Sequence, residues 1–164
     1  MSYMKLIKLL YLADRTSLLR WGKPITMDRW YSMKLGPVLS TVLNLITDPS
    51  QVDSNGPWSH FISPPLGDRE VRLLTDDVPN DRLSIAEEKL IREIFNEYGH
   101  YNRWDLVELL HRGEMVPEWK NPPNNGRLPI SLQDVLTTQM DSDEAEVAES
   151  ELHSLLRAQG CGTV

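Results

Sequence analysis

Apolar residues recur at helical spacing over residues 3–20, and Gly22 and Pro24 follow as stop signals. Placed at intervals of about 100°, Lys5, Lys8, Leu12 and Arg15 share one strip. Leu6, Ile7, Leu10, Ala13, Ser17 and Leu18 fill the opposite arc, so the helix is expected to bury that arc and expose Lys5, Lys8 and Arg15. Asp14 falls close to the middle of the apolar arc. An isolated buried carboxylate is costly, so it needs a partner: Lys34, Arg29, or free backbone N–H groups at the start of the next helix. The stretch Asp28–Leu39 predicts that helix. Glycine opens backbone angles closed to other residues and proline is tolerated at a first helical position, so Gly36-Pro37 reads as a switch into a helix over Pro37–Ile46. Trp30 and Tyr31 would anchor this corner, and Asp48-Pro49 would end the helix.

Beyond the corner, Thr47–Gly56 is rich in Pro, Ser, Asn and Asp and reads as a surface loop. Trp58–Ser63 and Arg69–Thr75 alternate in part around Pro64-Pro65-Leu66-Gly67-Asp68, which predicts a hairpin with a long loop. Ser84-Ile85-Ala86-Glu87 is a capping box that opens a helix with Leu90, Ile91, Ile94, Phe95 and Tyr98 inward, ended by Gly99. Asn102 caps a further helix to about Arg112, with Leu106, Leu109 and Leu110 inward. Gly113–Gly126 reads as loop, Ser131 caps a short helix over Leu132–Thr138, and a last helix over Asp143–Ala158 keeps few apolar residues. The pattern is that of a mainly α domain, about five to six helices with a small β-hairpin, over 1–140. An acidic C-terminal segment follows over 141–164.

Composition leaves this picture intact: 164 residues, 40% hydrophobic, can bury a core. No apolar run approaches the roughly 20 residues of a membrane span, and the start of the chain has no leader-like pattern. The single Cys161 fits a reducing, cytoplasmic setting. Charge adds something new. Residues 1–47 carry seven Lys/Arg against Asp14 and Asp28, a balance of +5 within a total of −7, so the remainder sums to −12. Half of that lies in Asp141, Asp143, Glu144, Glu146, Glu149 and Glu151, a block expected to be a solvated face or tail. The acidic total argues against general nucleic-acid binding and favours a basic protein partner.

The search for chemistry returns little. The histidines His60, His100, His111 and His153 lack metal-ligand spacing, and one cysteine makes a structural zinc site improbable, so no metal or other cofactor is expected. His111 with Glu114 could form an acid–base pair, but four histidines among 24 carboxylates produce such neighbours by chance. There is neither a phosphate-binding glycine loop nor a nucleophile elbow, and no residue stands out as a nucleophile. Trp119, in a proline-rich loop, reads as pinned over the core rather than exposed to a partner. A small helical domain followed by a hairpin raises a winged-helix DNA-binding regulator as the alternative, with Lys5, Lys8, Arg15, Arg20 and Lys23 on phosphates. The Pro37–Ile46 helix, however, offers only Asn44 as a base-reading side chain.

Set side by side, Lys5-Leu6-Ile7-Lys8-Leu9-Leu10-Tyr11-Leu12-Ala13-Asp14-Arg15, Gly22-Lys23-Pro24-Ile25-Thr26 and Trp30 through Gly36-Pro37-Val38 resemble the Panacea domain, the SocA-like antitoxin family often labelled phage-associated. Leu106–His111 and Pro117-Glu118-Trp119 resemble its second half, and the likeness runs from about Met4 to Thr138. The resemblance implies a mainly helical, non-enzymatic domain encoded beside a toxin that it neutralises. Some members inhibit directly, and one type delivers its toxin to a protease. On this reading Asp14, Trp30, Lys34, Gly36 and Pro37 shape a scaffold, and exposed Lys5, Lys8 and Arg15 contact the toxin.

Overall fold

The computed structural model describes residues 1–48, 50, 52–67, 69–79 and 81–158. Helix α1 (Tyr3–Trp21) forms where the apolar spacing places it. Gly22 closes it in the left-handed region (φ 73°), with its N–H on Leu18 O at 2.8 Å. The surroundings of α1 are not those expected. Leu9, Tyr11, Leu12, Ala13 and Leu18 enter a large core, while Ile7 enters a second, smaller one with Val38, Ile46 and Val71. A helix packed on two sides has little face left for water. The strip expected to be exposed is therefore largely interior: Lys8 is 1% exposed and Leu12 3%.

The corner also differs from expectation. Residues 30–39 form a hairpin of β1 (Trp30–Met33) and β2 (Gly36–Leu39), with Lys34-Leu35 at its turn. Helix α2 begins only at Ser40 and runs to Thr47; Pro49 lies outside the described residues. The positive φ of Gly36 (97°) serves the turn rather than a helix start, and Pro37 sits opposite Ser32 in the ladder. A third strand, β3 (Arg127–Ile130), was not anticipated. It pairs antiparallel with β1 and completes a sheet of order β2-β1-β3. Pro37 and Pro129 thus both occupy edge strands, where a missing N–H spares the central ladder.

Residues expected to form the second hairpin fold otherwise. Pro57–Phe61 is a short helix, α3, and only the isolated bridges Ile62↔Leu73 and Leu66↔Glu70 remain of the pairing. Among the described residues there is thus no extended wing after α2. The capped helices do form: α4 (Ile85–Tyr98), α5 (Arg103–Leu110) and α6 (Leu132–Leu136) each open on a complete capping box, from Ser84, Asn102 and Ser131. Leu90 and Ile94 of α4 and Leu106 and Leu110 of α5 are buried against α1, whereas Phe95 is half exposed. Helix α7 (Ser142–Ala158) sends Ala145 and Leu152 into the same core as α1. The protein is mainly α with a small three-stranded antiparallel sheet.

Candidate functional site

Several polar ties hold α1 to the rest of the molecule, and three of them rest on buried charged side chains, beginning with Asp14. Its carboxylate accepts hydrogen bonds from Ile25 N–H (3.0 Å), Thr26 N–H (2.9 Å) and the Thr26 hydroxyl. The partners expected from the sequence (Lys34, Arg29 or the start of a Pro37 helix) are not used; the loop directly after α1 supplies the donors instead. Burial raises the carboxyl pKa above its ordinary value, and the Thr26 and Ile25 bonds oppose that rise. The Trp30 indole helps them electrostatically, although its N–H falls short of a full hydrogen bond. Asp28, two residues further on, bonds the Thr41 (2.9 Å) and Val42 (3.0 Å) N–H groups and so caps α2 from a distance.

The second tie is Glu118, 5% exposed, in the loop after α5. Its Oε1 accepts from Tyr11 Oη at 2.5 Å and from Arg15 Nε at 2.7 Å, and its Oε2 from Arg15 Nη2 at 3.2 Å. Burial, then the neighbouring carboxylate, pushes the Tyr11 phenol well above its usual pKa. Next to it, Trp119 donates from Nε1 to Met33 O (3.0 Å) and stacks on His111 with ring centres 4.2 Å apart. Lys120 N–H donates to Ser32 Oγ (3.1 Å). Residues 118–120 therefore staple α1, α5 and the hairpin together, and Trp119 is pinned as expected.

Lys8 makes the third tie, and it is of a different kind. Its ammonium donates to Pro37 O at 2.9 Å, and among the described residues it forms no ion pair with a carboxylate. Burial lowers its pKa to about 7. His111 is pushed below its ordinary value by burial and then by the Lys8 charge, and its Nε2 is a buried atom without a hydrogen-bond partner. Gly36 makes room for this pair: a Cβ there would sit 3.0 Å from Lys8 Nζ and 3.6 Å from His111 Nε2.

Of the residues nominated from the sequence, the structure gathers Lys8, Lys34 and Gly36 around one recess of about 270 Å³, walled by Tyr3, Met4, Ile7, Met33, Leu35 and Val38. Pro37 contributes its carbonyl from the adjoining strand. Asp14 and Trp30 belong to a separate tie. Lys5 donates to Gly99 O at 2.5 Å and Arg15 is engaged by Glu118, so neither is the free surface cation that the wheel suggested. Glu118 and the Lys8–His111 pairing escaped sequence reasoning, since each is made across about a hundred residues of chain. The hints were the polar spacing within α1 and the place of Leu106–His111 and Pro117-Glu118-Trp119 in the family resemblance, neither of which names a partner. Among the described residues no cluster of His, Cys, Asp and Glu could hold a metal ion, and no helix is long and apolar enough to cross a membrane.

A hairpin stapled to a buried central helix defines the architecture, and comparison with known families gives it a class. The antitoxin SocA-like, Panacea domain family matches residues 6–120, which take in all but the first turn of α1, the β1–β2 hairpin, α5 and the Glu118 staple. The chain belongs to this family. No curated protein and no solved structure matches it.

Proposed function

We propose that the protein is a non-enzymatic antitoxin that neutralises a co-encoded toxin by binding it directly in the cytoplasm. The observation that carries this reading is the family match over residues 6–120, which covers the polar ties around α1 as one unit. The geometry supports a rigid binding scaffold. The carboxylates of Asp14 and Glu118 are spent on internal bonds, which suits holding elements in place rather than moving protons. The contact surface then lies where the hairpin turn meets the first turns of α1, with Lys34, Leu35 and Tyr3 at its edge, not on Lys5 or Arg15. Gly36 and Pro37 shape this surface, and the Asp14 bonds to Ile25 and Thr26 fix the loop between α1 and the hairpin strand of Trp30.

Expression of the adjacent gene alone and together with this one tests the reading. The neighbour is expected to arrest growth by itself, to be harmless beside this protein, and to co-purify with it. A neighbour that is harmless alone, or whose toxicity persists despite expression of this protein, contradicts it.

A further inference from the structure

The recess beside Lys8 does not end there. Met4 and Arg69 line it and also line a second depression of about 320 Å³ that reaches Trp104, so the two adjoin at the start of α1. The first part falls below, and the second lies at the very bottom of, the roughly 300–1,000 Å³ that a typical ligand occupies, so each suits one or two side chains. No aspartate or glutamate lines either part among the described residues, whereas Lys8, Lys34 and Arg69 do. The start of α1 adds to this potential. The residue before it, Ser2, makes no side-chain cap and its Oγ is buried without a partner, so beyond Tyr3 N–H, which donates to Arg69 O at 3.0 Å, the N–H groups at the positive end of a 19-residue helix stay uncapped by a side chain.

We propose that this groove takes an extended acidic segment of the partner protein, with one carboxylate reaching Lys8 and a neighbouring apolar side chain filling the recess behind Leu35. The buried ammonium is the decisive feature. A fully buried lysine with one carbonyl and a histidine beside it, and no carboxylate among the described residues, has donors to spare and no counter-charge, and a carboxylate supplies both needs. An acidic occupant also fits the local charge in a chain whose total is −7, where the groove is a cationic exception. The identity of the partner as a toxin rests on the antitoxin reading; the chemistry of the groove does not.

The test uses the full chain and a fluorescein-labelled peptide Glu-Phe-Glu-Leu-Glu, with Lys-Phe-Lys-Leu-Lys and a short oligothymidylate as competitors, read by fluorescence anisotropy. The acidic peptide is expected to bind saturably and the other two to compete poorly. Lys8→Met, and the surface double variant Lys34→Glu with Arg69→Asn, should each weaken binding by about tenfold or more. Arg92→Glu on the exposed face of α4 should leave it unchanged. The double variant alters only exposed side chains, so its effect is readable even if Lys8→Met folds poorly. No saturable binding of the acidic peptide, preference for the oligonucleotide, or binding indifferent to these substitutions overturns the proposal. The two readings separate cleanly. A toxic neighbour neutralised equally by wild type and double variant removes the groove and keeps the antitoxin. Peptide binding beside a harmless neighbour does the reverse.

Discussion

Asp14 and Lys8 lie six positions apart on one helix, both buried and both of a type that rarely is, yet the protein treats them in opposite ways. Asp14 receives hydrogen bonds from two backbone amides and a hydroxyl, all from the loop that follows its own helix. Lys8 receives one carbonyl and a histidine whose own protonation its charge opposes. A buried charge with its hydrogen-bonding capacity satisfied is part of the frame. One left with spare donors beside a recess is a charge kept available, at a cost in stability. The helix therefore carries both the fixed point of the scaffold and the feature that a partner can use.

The comparison can be broken most forcefully at Asp14. Asp14→Ala leaves the Ile25 and Thr26 amides without their acceptor and should cost about 3 kcal/mol or more, read from urea unfolding. Asp14→Asn should cost less, because its side-chain oxygen can still accept from one of them. Lys8→Met should act in the opposite direction. The folded-state pKa of Lys8, about 7, lies below the unfolded value of 10.5. Between those values the unfolded chain binds more protons, so stability rises with pH across that window. Below pH 7 the wild type carries the full penalty, and Lys8→Met should be more stable there by up to about 5 kcal/mol less the cost of the lost bond to Pro37 O, a gain that shrinks to nothing by about pH 10.5. Unfolding measured at pH 6, 8 and 10 checks the sign. A variant destabilised equally at all three would place Lys8 with Asp14 in the frame.

Smaller effects sharpen the same contrast. Gly36→Ala combines a left-handed backbone angle with a Cβ against Lys8 Nζ and should cost about 1–2 kcal/mol. Part of that cost should be relieved in the Lys8→Met background, which a double-mutant cycle measures. Trp119→Phe keeps a ring on His111 but loses the bond to Met33 O and part of the indole packing on the core, so it should cost about 1–2 kcal/mol.

What the chain reveals on its own is its local chemistry. Ser84, Asn102 and Ser131 announce their helices because a capping box is satisfied within four residues, and each helix formed there. Asp14 was visibly anomalous because its neighbours at helical spacing are apolar. The identity of its partners was not, since several donors lay within reach of the chain. Two expectations fail for different reasons. The basic strip of α1 was assigned to water on the assumption that a helix has one buried side, but two cores flank this one. Gly36-Pro37 was assigned to a helix because the pair is compatible with both a helix start and an edge strand, and only pairing with β1 decides. Strand β3 was missed because Arg-Leu-Pro-Ile is too short for alternation to show and contains a proline that only an edge position tolerates. The Glu118 staple and the Lys8–His111 pair depend on contacts about a hundred residues apart in the chain, which spacing alone does not encode.

The claim that Lys8 is a buried cation awaiting a counter-charge is tested most directly by titrating its side chain, following the Lys8 Cε resonance by NMR with and without the acidic peptide. The free protein should titrate near pH 7, and the midpoint should rise when the peptide is bound. A midpoint near the ordinary lysine value of 10.5 in the free protein, or one that the peptide leaves where it was, would contradict the account.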